Sequence, residues 1–112
     1  MNYSYEEIGH QSVTFPADGC EEGTVCKMTN YCMVRGCSEG EPFLGVAEIV
    51  NGYEAAVQVE GFVKVRYSGD HPSPGYKNLS ADGNGGVKLD EAGKGYWVVN
   101  VDRGSLSLIM KL

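Results

Sequence analysis

The sequence predicts an all-β fold, a single small β-barrel or β-sandwich of seven to nine short strands. Residues 56–67 are the clearest observation, because apolar side chains occupy the odd positions from Val57 to Tyr67 and polar ones the even positions, with Phe62 after Gly61 as the exception. A period of two is typical of a half-buried strand. Turn signals recur roughly every 8 to 12 residues, as in barrels and sandwiches. No segment holds a helical period over three turns.

The first part of the chain is expected to contribute four short strands to one β-barrel-like domain over residues 12–112. Residues 1–11 are polar with two tyrosines, and we interpret them as an N-terminal arm or a short irregular segment. The strands are predicted at residues 12–15, 24–28, 31–35 and 42–50. Pro16 and Gly19 end the first strand, and Thr29-Asn30 is expected to reverse the chain tightly between the second and the third.

A hairpin is predicted at Asn51-Gly52, since both residues tolerate positive φ. It should lead into one long strand that ends at Tyr67, in which Gly61 marks a bulge or a bend. The valines at 57, 59, 63 and 65 are expected to face one core. Gln58, on the other face, is expected to accept aspartate with almost no effect on stability, whereas Val59→Asp should cost about 3 kcal/mol or more.

The remaining strands are predicted at residues 77–80, 87–89, 96–101 and 105–112. Residues 68–76 contain two prolines and are expected to form a loop, and residues 82–86 and 92–95 are expected to be turns. In the last pair of strands, Trp97, Val99 and Val101 share one face toward the core. The returning strand is expected to line the same core with Leu106, Leu108, Met110 and Leu112.

Charge and hydropathy exclude several classes of partner. Nine Lys and Arg against fifteen Asp and Glu give a net charge of −6, which disfavours binding to the phosphates of nucleic acid. No apolar run approaches the roughly 18 residues of a membrane helix, so we expect no membrane association. The first seven residues lack the basic segment and the apolar stretch of a secretory signal, and the chain is therefore expected to be made and kept in the cytoplasm.

Four cysteines, Cys20, Cys26, Cys32 and Cys37, lie within eighteen residues. Structural zinc sites usually present pairs of ligands two to four residues apart, whereas here the gaps contain five, five and four residues. A disulfide would need an oxidising compartment. We therefore interpret the cysteines as structural thiols in adjoining strands, with Cys26 and Cys32 as cross-strand neighbours, and expect no metal and no cofactor.

No catalytic constellation is predicted. His10 and His71 are the two imidazoles, and Asp70-His71 has no nucleophile at a defined spacing. The sequence Asp82-Gly83-Asn84-Gly85-Gly86 lacks the alternating oxygen ligands of a calcium loop, and a turn is expected there. Seven tyrosines and one tryptophan leave open a surface that binds sugars by stacking.

A family resemblance rests on short motifs spread over most of the chain. They are Gly-Thr-Val at 23–25, Leu-Gly-Val at 44–46, Val-x-Val-x-Gly-Phe-Val at 57–63 and the Gly-rich segment that follows. From Val13 to about Val101 the chain resembles small capsid-associated proteins of phages and prophages, of the head-decoration type. The resemblance implies a non-enzymatic, self-associating β-subunit, often a trimer, that binds the major capsid protein and resides in the virion.

Self-association is expected through strand edges and an apolar strip near the C-terminus, made of Leu106, Leu108, Ile109, Met110 and Leu112. Ile109 breaks the alternation by facing away from Leu108 and Met110, as in a strand that is covered on both sides. A symmetric homo-oligomer, with a trimer favoured, would bury that second face. The alternative function is a stand-alone bacterial module that binds a carbohydrate or a peptide.

Overall fold

The structure, a computed structural model, describes residues 9–112 and confirms the all-β prediction. Ten strands are present in the described part of the chain. Their bounds are β1 Gln11–Pro16, β2 Val25–Met28, β3 Val34–Gly36, β4 Gly45–Asn51, β5 Glu54–Glu60, β6 Phe62–Arg66, β7 Gly75–Ala81, β8 Val87–Leu89, β9 Lys94–Asp102 and β10 Ser107–Lys111. Over residues 9–112, no helix is long and apolar enough to cross a bilayer. The N-terminal arm expected at residues 1–11 lies, for residues 1–8, outside the described part.

The strands form two five-stranded antiparallel sheets with the same connectivity. The orders are β1-β5-β4-β2-β3 and β6-β10-β9-β7-β8, so each strand of the first sheet has its counterpart five strands later. We call residues 11–60 unit 1 and residues 62–111 unit 2. In each unit the sheet curls until its first and last strands meet at one isolated parallel bridge, Ala17 with Val34 and Tyr67 with Val87. The chain is therefore a tandem structural repeat.

The backbone contacts that close each curled sheet recur at equivalent positions. With the N–H donor named first, they are Ala17 to Tyr53 (2.7 Å) and Asp18 to Val34 (2.9 Å) in unit 1, and Tyr67 to Leu106 (2.9 Å) and Ser68 to Val87 (3.0 Å) in unit 2. A β-bulge also recurs: one extra residue lies between Ala47 and Ile49 of β4, and one lies between Val98 and Asn100 of β9. Shared bonds and a shared bulge show that the two units curl in the same way.

Equivalent interior positions are buried in both units, and at five of the six pairs the side chain of unit 2 is the larger. The pairs are Ala17 and Tyr67, Cys26 and Leu79, Val34 and Val87, Ala47 and Val98, Ala55 and Leu108, and Val57 and Met110. Small residues fill the interior of unit 1, and larger ones fill that of unit 2. Cys26 therefore serves as a small apolar residue in a tight interior, as expected for a buried thiol.

A second hydrophobic cluster extends from the interior of unit 2 to the junction between the units. Val25, Phe43 and Val46 of unit 1 belong to this cluster. The ring of Phe43 stacks on that of Tyr96 with centroids 5.1 Å apart and planes at 12°. The units are thus joined by a packed apolar interface, and not only by the chain at Gly61.

The long strand predicted through Tyr67 is two strands in different sheets. Gly61 has φ of +94° and separates β5 from β6, so the bend expected at this glycine is confirmed and the continuity is not. The four valines divide accordingly: Val57 and Val59 pack in unit 1, whereas Val63 and Val65 pack in unit 2. This break raises the number of strands above the seven to nine expected. The Asn51-Gly52 hairpin forms as predicted, with Asn51 paired to Glu54.

The predicted reversal at Thr29-Asn30 is a longer turn. Thr29 donates its N–H to the carbonyl of Met33 at 2.8 Å, and β3 begins only at Val34. Cys32 lies in this turn with φ of +60° and is exposed, while Cys26 pairs with Gly36. The expectation that Cys26 and Cys32 are cross-strand neighbours was therefore wrong, because the turn contains five residues and not two.

Candidate functional site

Two of the four thiols, Cys20 and Cys26, lie in the interior of unit 1, and Cys37 packs nearby against the cluster at the junction of the units. Cys26 is fully buried, and Cys20 packs against the cluster that contains it. Burial is the main cause that raises the pKa of Cys26 to about 12 and that of Cys37 to about 11, with neighbouring thiols and, for Cys37, the Glu41 carboxylate adding to it. Burial, followed by the charge of Asp18, also raises the pKa of Cys20. These thiols are protonated at neutral pH and are poor nucleophiles.

Alkylation of the native protein is expected to separate the thiols by burial. Cys32 is exposed and should react first with iodoacetamide near neutral pH, and Cys26 last, because a pKa of about 12 in place of 9.0 reduces its thiolate about a thousandfold. Mass spectrometry of timed samples measures the order, with urea-unfolded protein, in which all four thiols should react alike, as the control. Equal rates for Cys26 and Cys32 in the folded protein would contradict this packing.

The same raised pKa values set a pH dependence of stability. A thiol whose pKa is higher in the folded than in the unfolded chain binds its proton more tightly when folded. The stabilisation that Cys26 and Cys37 add to the free energy of unfolding is therefore complete below pH 9. It is lost as the pH rises through about 11 to 12.

No group of three or more His, Cys, Asp or Glu side chains in residues 9–112 is arranged to hold a metal ion. Asp82, in the segment that superficially resembles a calcium loop, uses its carboxylate within the turn. Its Oδ1 accepts the N–H of Asn84 at 2.7 Å and of Gly86 at 3.1 Å, and its Oδ2 accepts the hydroxyl of Ser68 at 2.8 Å. The turn predicted at residues 82–86 is confirmed.

His10 forms a contact that only folding creates. Its Nε2 lies 3.0 Å from Ser12 Oγ and 2.9 Å from Glu48 Oε1, and the Ser12 hydroxyl also donates to Glu48. Serine, histidine and a carboxylate suggest a catalytic triad, but a triad places serine and carboxylate on opposite nitrogens of the imidazole. Here both contact the same nitrogen, and the serine is bonded directly to the carboxylate. The arrangement therefore ties β1 to the bulge of β4.

His71 contacts neither Asp70 nor a nucleophile in a catalytic geometry. Its Nδ1 shares a hydrogen bond with the hydroxyl of buried Tyr67 at 2.8 Å, and the two rings meet edge to face at 5.7 Å. Tyr67 lies on the core face as predicted, and its phenol needs a polar partner there. His71 supplies that partner, which is a structural role.

The apolar C-terminal strip is mostly core and not surface. Leu108 and Met110 are fully buried and Leu112 packs against the same cluster, which confirms that this strand lines the core. Leu106 is exposed in the preceding turn, and half-buried Ile109 is paired with Lys64 and Asn100, which are polar. The expected continuous apolar strip of self-association is therefore absent from the described residues, because its larger members fill unit 2.

An exposed pair of aromatic side chains in mutual contact lies instead across the middle strands of unit 2. Tyr76 on β7 pairs with Trp97 on β9, and Trp97 pairs with Lys111 on β10. Tyr76 and Trp97 are 59% and 57% exposed, and their rings meet at 5.3 Å with a 63° angle. We call Tyr76, Trp97 and Lys111 the aromatic face.

Gly95 holds Tyr76 in place on this face. A Cβ at Gly95 would overlap the phenol ring of Tyr76, so the ring lies directly against the backbone of β9 beside Trp97. The sequence does not predict this pairing, because its pattern places Tyr76 in a loop and Gly95 in a turn. Trp97 was assigned to the core, but the bulge after Val98 reverses the alternation, so that Tyr96 and Val98 face inward.

Polar groups border the aromatic face on the side of β8. A shallow cavity of about 270 Å³ adjoins Tyr76 and is lined by Lys77, Asn78, Leu89, Asp90 and Glu91. The pKa of Asp90 is lowered, chiefly by a hydrogen bond from the Ser80 hydroxyl at 2.7 Å and then by the Ala92 N–H. The carboxylate is therefore fixed and charged at neutral pH. The surface combines flat aromatic rings with polar groups held in place, which suits binding.

Comparison with known proteins provides no family assignment: no protein-family model matches the chain, and no curated protein matches it either.

Proposed function

We propose that this protein is a non-enzymatic structural subunit that associates with copies of itself and binds a protein shell, in the manner of a phage or prophage head-decoration protein. The aromatic face is the observation that carries the proposal. Tryptophan and tyrosine are the residue types that contribute most to protein interfaces, and here both are exposed on a rigid sheet with little rotational freedom. The partners would be other copies of the chain and the major capsid protein, and the location would be the virion.

Two further features support a structural role. The order of the Gly-bounded apolar motifs from Val13 to about Val101 resembles that of capsid-associated proteins. Carboxylates and hydroxyls that would serve in catalysis are engaged in turns and strand ties, as Asp82 and Glu48 are. The side chains left available on unit 2 are those of a contact surface.

Light scattering over a range of concentrations tests the self-association. We expect the mass to rise from the monomer's 12.1 kDa to a defined multiple, with a trimer favoured, between about 1 μM and about 1 mM. This range covers association free energies from about −8 to about −4 kcal/mol. A mass of 12.1 kDa throughout would contradict the proposal. Flanking genes for a major capsid protein, a portal or a prohead protease are expected and would identify the shell to use in co-sedimentation.

The alternative is a carbohydrate-binding module that uses the same face. Sugar sites combine an aromatic platform with nearby hydrogen-bonding groups, and Tyr76, which contacts Trp97, shares a cavity with Asn78 and Asp90. Trp97 is the single tryptophan, so a glycan that stacks on it would change the fluorescence of the protein directly. A glycan array followed by calorimetric titration of wild type and Trp97→Ala distinguishes the two functions, because only a sugar-binding module should give a heat of binding with a glycan and lose it in the variant.

A further inference from the structure

The aromatic face has a counterpart in unit 1 that is buried between the units. On β4 and β5 the equivalent positions are Val46 and Gln58, and Val25 on β2 pairs with Val46 as Tyr76 on β7 pairs with Trp97. The pairing register between β2 and β4 differs by two residues from that between β7 and β9, so Val25 takes the place of Tyr76 in this row although Met28 matches Ala81 at the ends of the same strands. The unit 1 row is at most 4% exposed. Unit 1 therefore buries this row in an interface. Unit 2 leaves the corresponding row exposed to solvent, with aromatic side chains at two of its three positions.

The β7–β8 hairpin of unit 2 contacts unit 1 beside this row. Val25 donates its N–H to the carbonyl of Gly85 at 3.0 Å, and the backbone of residues 40–41 bonds to Ala81 on both sides. Lys88 on β8 adds an ion pair to Glu39 at 3.5 Å. Residues 81–88 are thus one part of the surface on which the preceding unit docks, and the interior cluster that Val25, Phe43 and Val46 join is the other.

The counterpart of this receiving surface in unit 1 is the β2–β3 hairpin, residues 28–35, and it is open. Met28 pairs with Val34 as Ala81 pairs with Val87. Met28 is 38% and Tyr31 is 84% exposed, and a shallow cavity of about 410 Å³ adjoins them. Residues 9–112 therefore present one exposed surface of each kind, and both expose large apolar side chains.

We propose that the aromatic face of one copy docks on the β2–β3 hairpin of a second copy, and so repeats between chains the contact that joins unit 1 to unit 2 within a chain. The proposal rests on the self-association proposed above and assigns its interface. Such a contact is heterologous, since two different surfaces meet. Copies joined in this way form a closed ring if the rotation closes and a filament if it does not. A trimeric ring would contain six units in succession.

Charged groups of both signs lie beside the two surfaces. Lys77, Asp90 and Glu91 border the aromatic face, which itself contains Lys111, and Asp18, Lys27 and Arg35 border the β2–β3 hairpin. Lys27 and Arg35 are already held by Glu41, at 2.6 and 3.3 Å, so they are positioned before docking. Opposite charges at the rim favour correct orientation more than affinity.

One part of the contact within the chain does not recur between chains. Residues 37–44, between β3 and β4, reach across to Ala81, whereas the connection from β8 to β9 contains only residues 90–93. The contact between copies therefore lacks the interactions that residues 37–44 make within the chain, and it depends on the sheet face alone. We therefore expect reversible association that depends on concentration.

The test uses Trp97→Lys, which disrupts the aromatic face, and Tyr31→Asp, which disrupts the hairpin, with Tyr53→Asp as the matched control. Tyr53 is also 84% exposed, but it lies in the β4–β5 turn. By light scattering, each of the first two variants should fall to 12.1 kDa at concentrations where wild type and the control associate. Circular dichroism and the thermal midpoint should be unchanged, since both side chains are exposed.

Mixing the two monomeric variants identifies the geometry. Trp97→Lys retains an intact hairpin and Tyr31→Asp an intact aromatic face, so an equimolar mixture should form a dimer of twice 12.1 kDa that does not grow further. A mixture that stays monomeric, or a Tyr31→Asp variant that associates like wild type, would overturn the head-to-tail contact. Association of wild type that survives both substitutions would overturn it too and leave the proposed function standing. A wild type that never associates would overturn both.

Discussion

Replacing Gln58 by aspartate is expected to lower the free energy of unfolding by about 3 kcal/mol or more. Gln58 is 4% exposed, and its Nε2 donates to the carbonyls of Glu60 at 3.1 Å and of Phe62 at 2.9 Å. These bonds cross Gly61, where the chain passes from unit 1 to unit 2. Aspartate would lose both donors and direct a carboxylate toward carbonyl oxygens in a site closed to water. Urea denaturation followed by circular dichroism measures the change.

Lys111→Asp is the matched control, because Lys111 occupies the equivalent position in unit 2 and is exposed. That substitution should change the free energy of unfolding by no more than about 0.5 kcal/mol. Equal midpoints for the two variants would show that unit 2 does not cover the row that contains Gln58. The comparison is well controlled because aspartate is introduced at equivalent strand positions in the two units.

The sequence pattern predicts almost no effect of Gln58→Asp on stability, and the burial of Gln58 makes that prediction wrong. The reason applies to any strand that is identified by a period of two. A period of two identifies the two faces of a strand, and Gln58 does lie opposite Val57 and Val59. The pattern does not reveal that another sheet packs on the polar face. A buried glutamine is tolerated there because it donates hydrogen bonds to two carbonyls. In the sequence alone it cannot be distinguished from an exposed glutamine.

The tandem repeat was also hidden from the sequence. Ala17 and Tyr67, or Ala55 and Leu108, occupy equivalent interior positions and share little but their burial. Because unit 1 is filled by small side chains and unit 2 by large ones, no period in residue type marks the duplication. What the sequence did predict well was local: the Asn51-Gly52 hairpin, the bend at Gly61 and the inward faces of Leu108 and Met110.

The aromatic face could not be predicted for a similar reason. Its existence depends on the bulge after Val98, which turns Trp97 outward, and on the absence of a side chain at Gly95, which gives Tyr76 a place to lie. Both are features of pairing between strands, and neither has a signal within its own segment. The residue types left open an aromatic surface that binds sugars by stacking, but they did not indicate which residues would form it.

Gly45→Ala is expected to lower the free energy of unfolding by about 3 kcal/mol, at the upper end of what overpacking costs. Gly45 begins β4, and a Cβ there would overlap the carbonyl oxygen of Gln58 and lie 2.9 Å from Val57 Cγ1. The oxygen belongs to the backbone of a paired strand, so it cannot move without breaking the β4–β5 ladder that leads to the junction of the units.

The sign of this effect distinguishes a packing constraint from chain entropy. Where the backbone is compatible, Gly→Ala usually stabilises by roughly 0.4–1 kcal/mol through the unfolded chain. Gly104→Ala is the control, because Gly104 lies in the exposed β9–β10 turn and a Cβ there would meet only the carboxylate of Asp102, at 3.3 Å. We expect Gly104→Ala to be neutral or slightly stabilising in urea and Gly45→Ala to lower the midpoint strongly. If Gly45→Ala were neutral as well, β4 and β5 would not approach as closely as this architecture requires.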